Sequence, residues 1–203
     1  MQRGACGWLL GVIVLLSACV ATPRRSETVL DPAAQQAAIA ALDKYQLQGR
    51  VAVAAGTEGF NASMDWNQSG TASSVRLAGP MGAGALQMQF GDGHLRIESR
   101  GQNLLDAAAQ ELMQQQLGFA PPLDALRYWL LGLPAPQGQS QETRSPDGQL
   151  LSLTQQGWRV EYQEYQPQQL AVGRVSLPTK LRATRDDLRL RVVIDSWRLS
   201  TKD

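Results

Sequence analysis

The side chains that most often carry nucleophilic, acid–base or zinc chemistry are scarce, since the chain has one histidine and two cysteines. His94 follows Gly91-Asp92-Gly93, a tight-turn sequence, and reads as a surface residue. One histidine cannot build a typical zinc site without cysteines. Nor does a Gly-x-Ser-x-Gly elbow accompany it, as a Ser-His-Asp hydrolase of the common kind requires. Asp186 and Asp187 are adjacent, and neighbours on a strand point to opposite faces, so Arg185-Asp186-Asp187-Leu188 reads as a turn. Gly79, Gly82 and Gly84 lie between two strand-like runs and lack the Lys and Ser/Thr of a phosphate loop. No catalytic residue, metal site or cofactor is assigned. One residue stays unexplained: Met81, a large apolar side chain in a Gly-Pro-Ala loop. Pro80 stiffens one side of it and Gly82 loosens the other.

The ends set the context. Arg3 supplies a basic start, Trp8 to Leu16 an apolar stretch, and Ser17-Ala18 small residues before Cys19, the pattern of a secretory signal. Leu16-Ser17-Ala18-Cys19 resembles the lipobox of bacterial lipoproteins, which implies a lipidated Cys19 as the mature N-terminus. Val20 follows in place of a retaining aspartate, so the resemblance implies the periplasmic face of the outer membrane. The expected organisation is a cleaved signal over residues 1–18, a lipidated tether over 19–30 and one domain over 31–203. Loss of Arg3 takes the formal charge from +1 to zero. A neutral domain without a basic stripe argues against nucleic acid, where phosphate neutralisation dominates affinity. No thiol would remain free for a disulfide.

The elements follow from periodicity. Asp31-Pro32 predicts an N-cap with proline at N1, opening a helix through about Tyr45. The period then becomes two. Leu47, Val51 and Val53 share a face, as do Met64 and Trp66, Val75 and Leu77, Leu86 to Phe90, and Leu95 and Ile97, with polar residues between them. Asn103 can cap a helix ending at Gly118, and Pro121-Pro122 start a shorter one closed by Gly132 and Pro134. Residues 134–148 read as a long exposed connection. Strands resume at Leu151 and run to the end, where Trp197 and Leu199 fall out of phase with Leu188 to Ile194; a bulge near Asp195-Ser196 explains the slip. With no alternation of strand and helix, the pattern predicts a meandering antiparallel sheet with helices on one face. Periodicity leaves two readings open: these apolar residues fill a core, or they line a concavity. An acyl chain of ordinary length carries roughly 10 kcal/mol of hydrophobic driving force, so a protein moving one through water must cover it.

Four stretches resemble the LolB family of outer-membrane lipoprotein receptors: "GRVAV" with "DWNQ" (49–53 and 65–68), "GPMGAGALQM" (79–88), "PPLDALRYWLLGLP" (121–134) and "LPTKLRATRDDLRLRVVIDSW" (177–197). The resemblance implies a mainly β fold with helices. It would be an unclosed antiparallel barrel of about ten or eleven strands, with two or three helices lining or covering an apolar cavity. It implies a monomeric, non-enzymatic receptor that accepts acylated lipoproteins from a LolA-type periplasmic carrier and inserts them into the outer membrane. The family's protruding loop carries leucine where this chain has Met81, a mild departure in volume and polarity. The expected site residues are then Pro80, Met81 and Gly82 for membrane insertion. The cavity or lid would comprise Trp66, Leu77, Leu86, Met88, Leu95, Ile97, Trp129, Trp158, Tyr162 and Trp197. The alternative is a structural or assembly lipoprotein whose core is filled.

Overall fold

Turn chemistry sets the sheet. Asp92 and Gly93 both take positive φ, 53° and 81°, as a two-residue primed turn requires, and so join strands β4 (Leu86–Gly91) and β5 (His94–Ser99). Asp186, at φ 55°, does similar work between β10 (Gly173–Arg185) and β11 (Leu188–Ser200). The computed structural model describes residues 30–80, 85–99 and 101–200. Among them are eleven strands and three helices. The remaining strands are β1 (Lys44–Ala55), β2 (Glu58–Ser69), β3 (Ala72–Ala78), β6 (Gln102–Leu105), β7 (Ser140–Arg144), β8 (Leu150–Gln155) and β9 (Trp158–Leu170). The helices are α1 (Pro32–Ala40), α2 (Asp106–Leu117) and α3 (Leu123–Trp129).

All strands are antiparallel and form one sheet in the order β6-β5-β4-β3-β2-β1-β11-β10-β9-β8-β7. Each wing is a meander, and the wings meet where the first strand pairs with the last. The sheet is open: β6 and β7 are its edges, and the chain between them carries α2 and α3. α2 packs against β1, β5 and β6, and α3 against β4. The strands bury alternate residues, so one face holds Leu47, Met64, Val75, Met88, Val160 and Leu181 while the other is polar. The expectation of an unclosed antiparallel barrel with helices against its apolar face agrees with this architecture.

The slip in the last strand is a bulge. Gln48 faces Ser196 but Gly49 faces Ile194, leaving Asp195 as the extra residue. The backbone there comes so close that a Cβ on Gly49 would lie 2.2 Å from the Val193 carbonyl oxygen. Asp195 points outward and accepts from Arg50 Nη2 at 2.7 Å.

Three expectations need correction. The first helix stops at Ala40, although its start is as predicted, with Asp31 Oδ1 accepting from Ala34 N at 2.9 Å. Tyr45 lies instead in β1, because Tyr45 and Leu47 already belong to the buried alternation of that strand. Asn103 lies in β6, and α2 begins at Asp106. The carboxylate of Asp106 turns back to accept from the Leu95 backbone N–H at 2.9 Å. Finally, the connection over 134–148 contains β7, an edge strand with no buried residue and hence no apolar period to read.

Candidate apolar cavity

The inner face of the central strands bounds one apolar cavity. β1 contributes Val51 and Val53, β2 Phe60, Met64 and Trp66, β3 Val75 and Leu77, β4 Met88, and β11 Leu190 and Val192. Its cover is helical: Leu123, Leu126 and Leu130 stand on one stripe of α3 and its C-cap, with Phe119 and Pro121 before it. Every lining residue is apolar or aromatic. The one polar atom among their side chains, Trp66 Nε1, donates to Gln68 Oε1 at 3.0 Å. The Gln68 amide in turn accepts from Ser73 Oγ and donates to the Gly70 carbonyl. Trp66 also packs edge-on to Phe90 at 5.4 Å. A cavity of this lining stays dry.

The volume is about 50 Å³. Pockets that enclose a small organic ligand start near roughly 300 Å³. With α3 in this position the leucine stripe therefore occupies most of the concavity.

Three side chains from three strands hold the C-terminal end of α3. Tyr45 Oη donates to the Arg127 carbonyl at 2.8 Å, and Tyr162 Oη to the Trp129 carbonyl at 3.0 Å. Burial pushes both phenols well above the ordinary tyrosine range, so they remain donors. Gln155 is buried on β8 and fully engaged. Its Oε1 accepts from Trp129 Nε1 at 3.0 Å and Ala135 N at 2.9 Å, and its Nε2 donates to the Ala135 carbonyl at 2.7 Å. Arg127 extends the other way, donating from Nη1 to the Thr71 carbonyl at 2.9 Å.

Of the residues expected from sequence, Trp66, Leu77 and Met88 line the cavity. Leu86, Leu95 and Ile97 share its face of the sheet and are buried in the adjoining core, the latter two on the strand that α2 covers. Trp158 and Tyr162 lie on β9 in the other wing, where Trp158 packs 6.5 Å from Trp129 of α3 and Tyr162 packs 6.0 Å from Tyr165. Phe119 joins the two regions: it lines the cavity and lies 5.8 Å from Trp158. Trp197 is half-buried beyond the bulge, donating to the Pro178 carbonyl at 3.1 Å and packing 5.7 Å from Tyr45. Pro80 is exposed, while Met81, Gly82 and Cys19 lie outside the described residues. The lining also includes residues not singled out beforehand. Leu123, Leu126 and Leu130 carried a readable signal, the i, i+3, i+7 spacing of a helix face. Phe119 and Phe60 carried none, being a loop residue and the lone aromatic near a strand start.

Exposed His94 lies 3.4 Å from Asp106 Oδ2. Asp106 is held below the usual carboxylate range by the Leu95 N–H and then by His94. Among the described residues no group of three or more His, Cys, Asp or Glu could hold a metal ion.

An open antiparallel half-barrel whose helices cover an apolar concavity is a fold with solved relatives. A LolA superfamily protein from Nitrosomonas europaea superimposes with a TM-score of 0.51 at 11% identity, covering 87% of this chain and 96% of that one. That likeness concerns the fold. The family model described as "Outer membrane lipoprotein LolB" matches residues 43–197. Outer-membrane lipoprotein LolB of Francisella tularensis is 31% identical over 94% of this chain and 92% of its own. The protein of the same name from Pseudomonas paraeruginosa is 34% identical over 77% of this chain and 75% of its own. The chain belongs to the LolB family.

Proposed function

We propose that this protein is an outer-membrane lipoprotein receptor. It takes acylated lipoproteins from a LolA-type carrier, shelters their acyl chains beneath α3, and releases them into the outer membrane. The observation that carries the reading is the wholly apolar concavity under an amphipathic helix. Such a surface has no use in acid–base or nucleophilic chemistry but a direct one in covering hydrocarbon. Nothing in that chemistry calls for an enzyme or a cofactor. Transfer then runs down an affinity gradient from carrier to cavity to bilayer. Cys19 would hold the protein to the periplasmic face of that membrane by its lipid, with residues 19–30 as tether and 31–203 as one domain. Met81, beyond Pro80, would be the apolar tip that meets the bilayer.

In cells depleted of the protein, periplasmic complexes of lipoprotein with the carrier should accumulate. Unchanged levels of those complexes would refute the receptor role. The small free volume favours a second reading, a structural lipoprotein of the outer membrane with a filled core. An apolar fluorescent probe separates the two, binding saturably to a receptor and not at all to a filled core.

A further inference from the structure

The outer face of the central strands carries a cationic patch that the cavity does not use. Alternation that sends Leu190 and Val192 inward turns Arg189 and Arg191 of β11 to solvent. Arg182 of β10 is exposed directly opposite Arg191, a cross-strand pairing of like charges that lowers stability. Nearby cations are neutralised: Arg50 by Asp195 at 2.7 Å, Lys180 by Glu164 at 2.8 Å and Arg159 by Glu161 at 3.0 Å. Arg182, Arg189 and Arg191 have no ion pair or hydrogen bond among the described residues. On the other side Arg191 and Arg189 face only Ala52 and Ala54 of β1, while Arg182 faces Glu161 of β9, whose carboxylate pairs with Arg159. The β1 side of the patch is thus open, with Glu161 engaged by Arg159 at its β9 border and Asp186 and Asp187 in the turn at its end. A shallow groove of about 610 Å³ runs across this face from Arg50 and Arg191 to Gly79 and Pro80, the residues that enter the Met81 loop.

We propose that this face docks on an anionic bilayer surface, with Gly79 and Pro80 at its rim. Guanidinium forks match phosphodiester oxygens. A floor of alanines with no enclosing wall suits an extended charged plane better than a small anion. The inference rests on the membrane-delivery reading above, but it is tested without cargo. The chain from residue 19 with Cys19→Ser retains every residue the structure describes and lacks the lipid. It is sedimented with vesicles of phosphatidylcholine alone or mixed with phosphatidylglycerol. Binding should require phosphatidylglycerol and weaken with salt. Substituting Arg182→Gln, Arg189→Gln and Arg191→Gln together should lower the partition coefficient about 100-fold, roughly five-fold per arginine. Thermal melting of that variant should be unchanged or raised, because the Arg182–Arg191 repulsion is gone, which establishes that it is folded. Arg96→Gln, an exposed charge on the far wing, should leave binding unchanged. Equal binding to both vesicle types, or binding that survives the triple substitution, overturns the proposal. So does a triple variant that keeps vesicle binding but loses capture by the carrier, which would assign the face to a protein. If vesicle binding behaves as expected while lipoprotein delivery is absent, the receptor reading fails and the docking face stands.

Discussion

Replacing Tyr45 and Tyr162 together by phenylalanine should loosen the cover of the cavity while leaving its lining untouched. Each hydroxyl donates one hydrogen bond to a carbonyl at the C-terminal end of α3, at 2.8 and 3.0 Å. A buried hydrogen bond of this kind contributes about 1 kcal/mol net. The Trp129 carbonyl keeps a second partner, the Gly132 N–H at 3.0 Å, so its loss is not compounded by an orphaned acceptor. The Arg127 carbonyl loses its one bond, so the two changes sum to about 2 kcal/mol or somewhat more. If α3 must lift for an apolar guest to enter, the competent population rises by the same free energy, roughly 30-fold. Apparent affinity for an apolar fluorescent probe should therefore increase by roughly 30-fold while the melting temperature falls. Hydrogen exchange should quicken in α3 ahead of the strands. A lower melting temperature with unchanged probe affinity would refute the reasoning, because α3 would then hold the fold without gating the cavity.

Gly49→Ala should destabilise the protein by about 2 kcal/mol or more, since its Cβ would sit 2.2 Å from the Val193 oxygen; denaturant unfolding measures this. The lowered pKa of Asp106 sets a pH dependence. A carboxylate depressed in the folded state adds stability that is present above its unfolded value, near pH 4, and lost as pH falls through the folded one. Melting temperatures of Asp106→Asn should lose that part of the acid-side decline. Met81→Glu should leave probe binding intact and slow lipoprotein delivery to liposomes, where an unchanged delivery rate would remove the loop from the mechanism.

Much of this architecture was legible because one physical signal, alternation, governs most of the chain. The shift in phase between Ile194 and Trp197 even located the bulge, which Asp195 occupies. Signals failed where local preference and pairing disagree. Tyr45 follows an alanine-rich helical run, yet its burial against Trp197 and its bond to α3 arise from partners far along the chain. β7 was hidden because an exposed edge strand has no apolar face. For the cavity, sequence gives the face on which a side chain lies but not its depth beneath a helix. Trp66 and Trp158 have the same pattern, and only the placement of α3 puts one on the cavity and the other in a packed aromatic cluster.

The pairing of the first strand with the last has a consequence for how the chain acquires its structure. Each wing is a ladder of neighbours in sequence and can zip as it emerges, with little loop entropy to overcome. β1 is central in the finished sheet, but until β11 arrives one of its edges is bare. The apolar concavity is thus completed by the last strand of the sheet, which supplies Leu190 and Val192. A chain that stops short of β11 would keep two separately paired wings and an unprotected hydrophobic strand edge, the form most open to proteolysis and association.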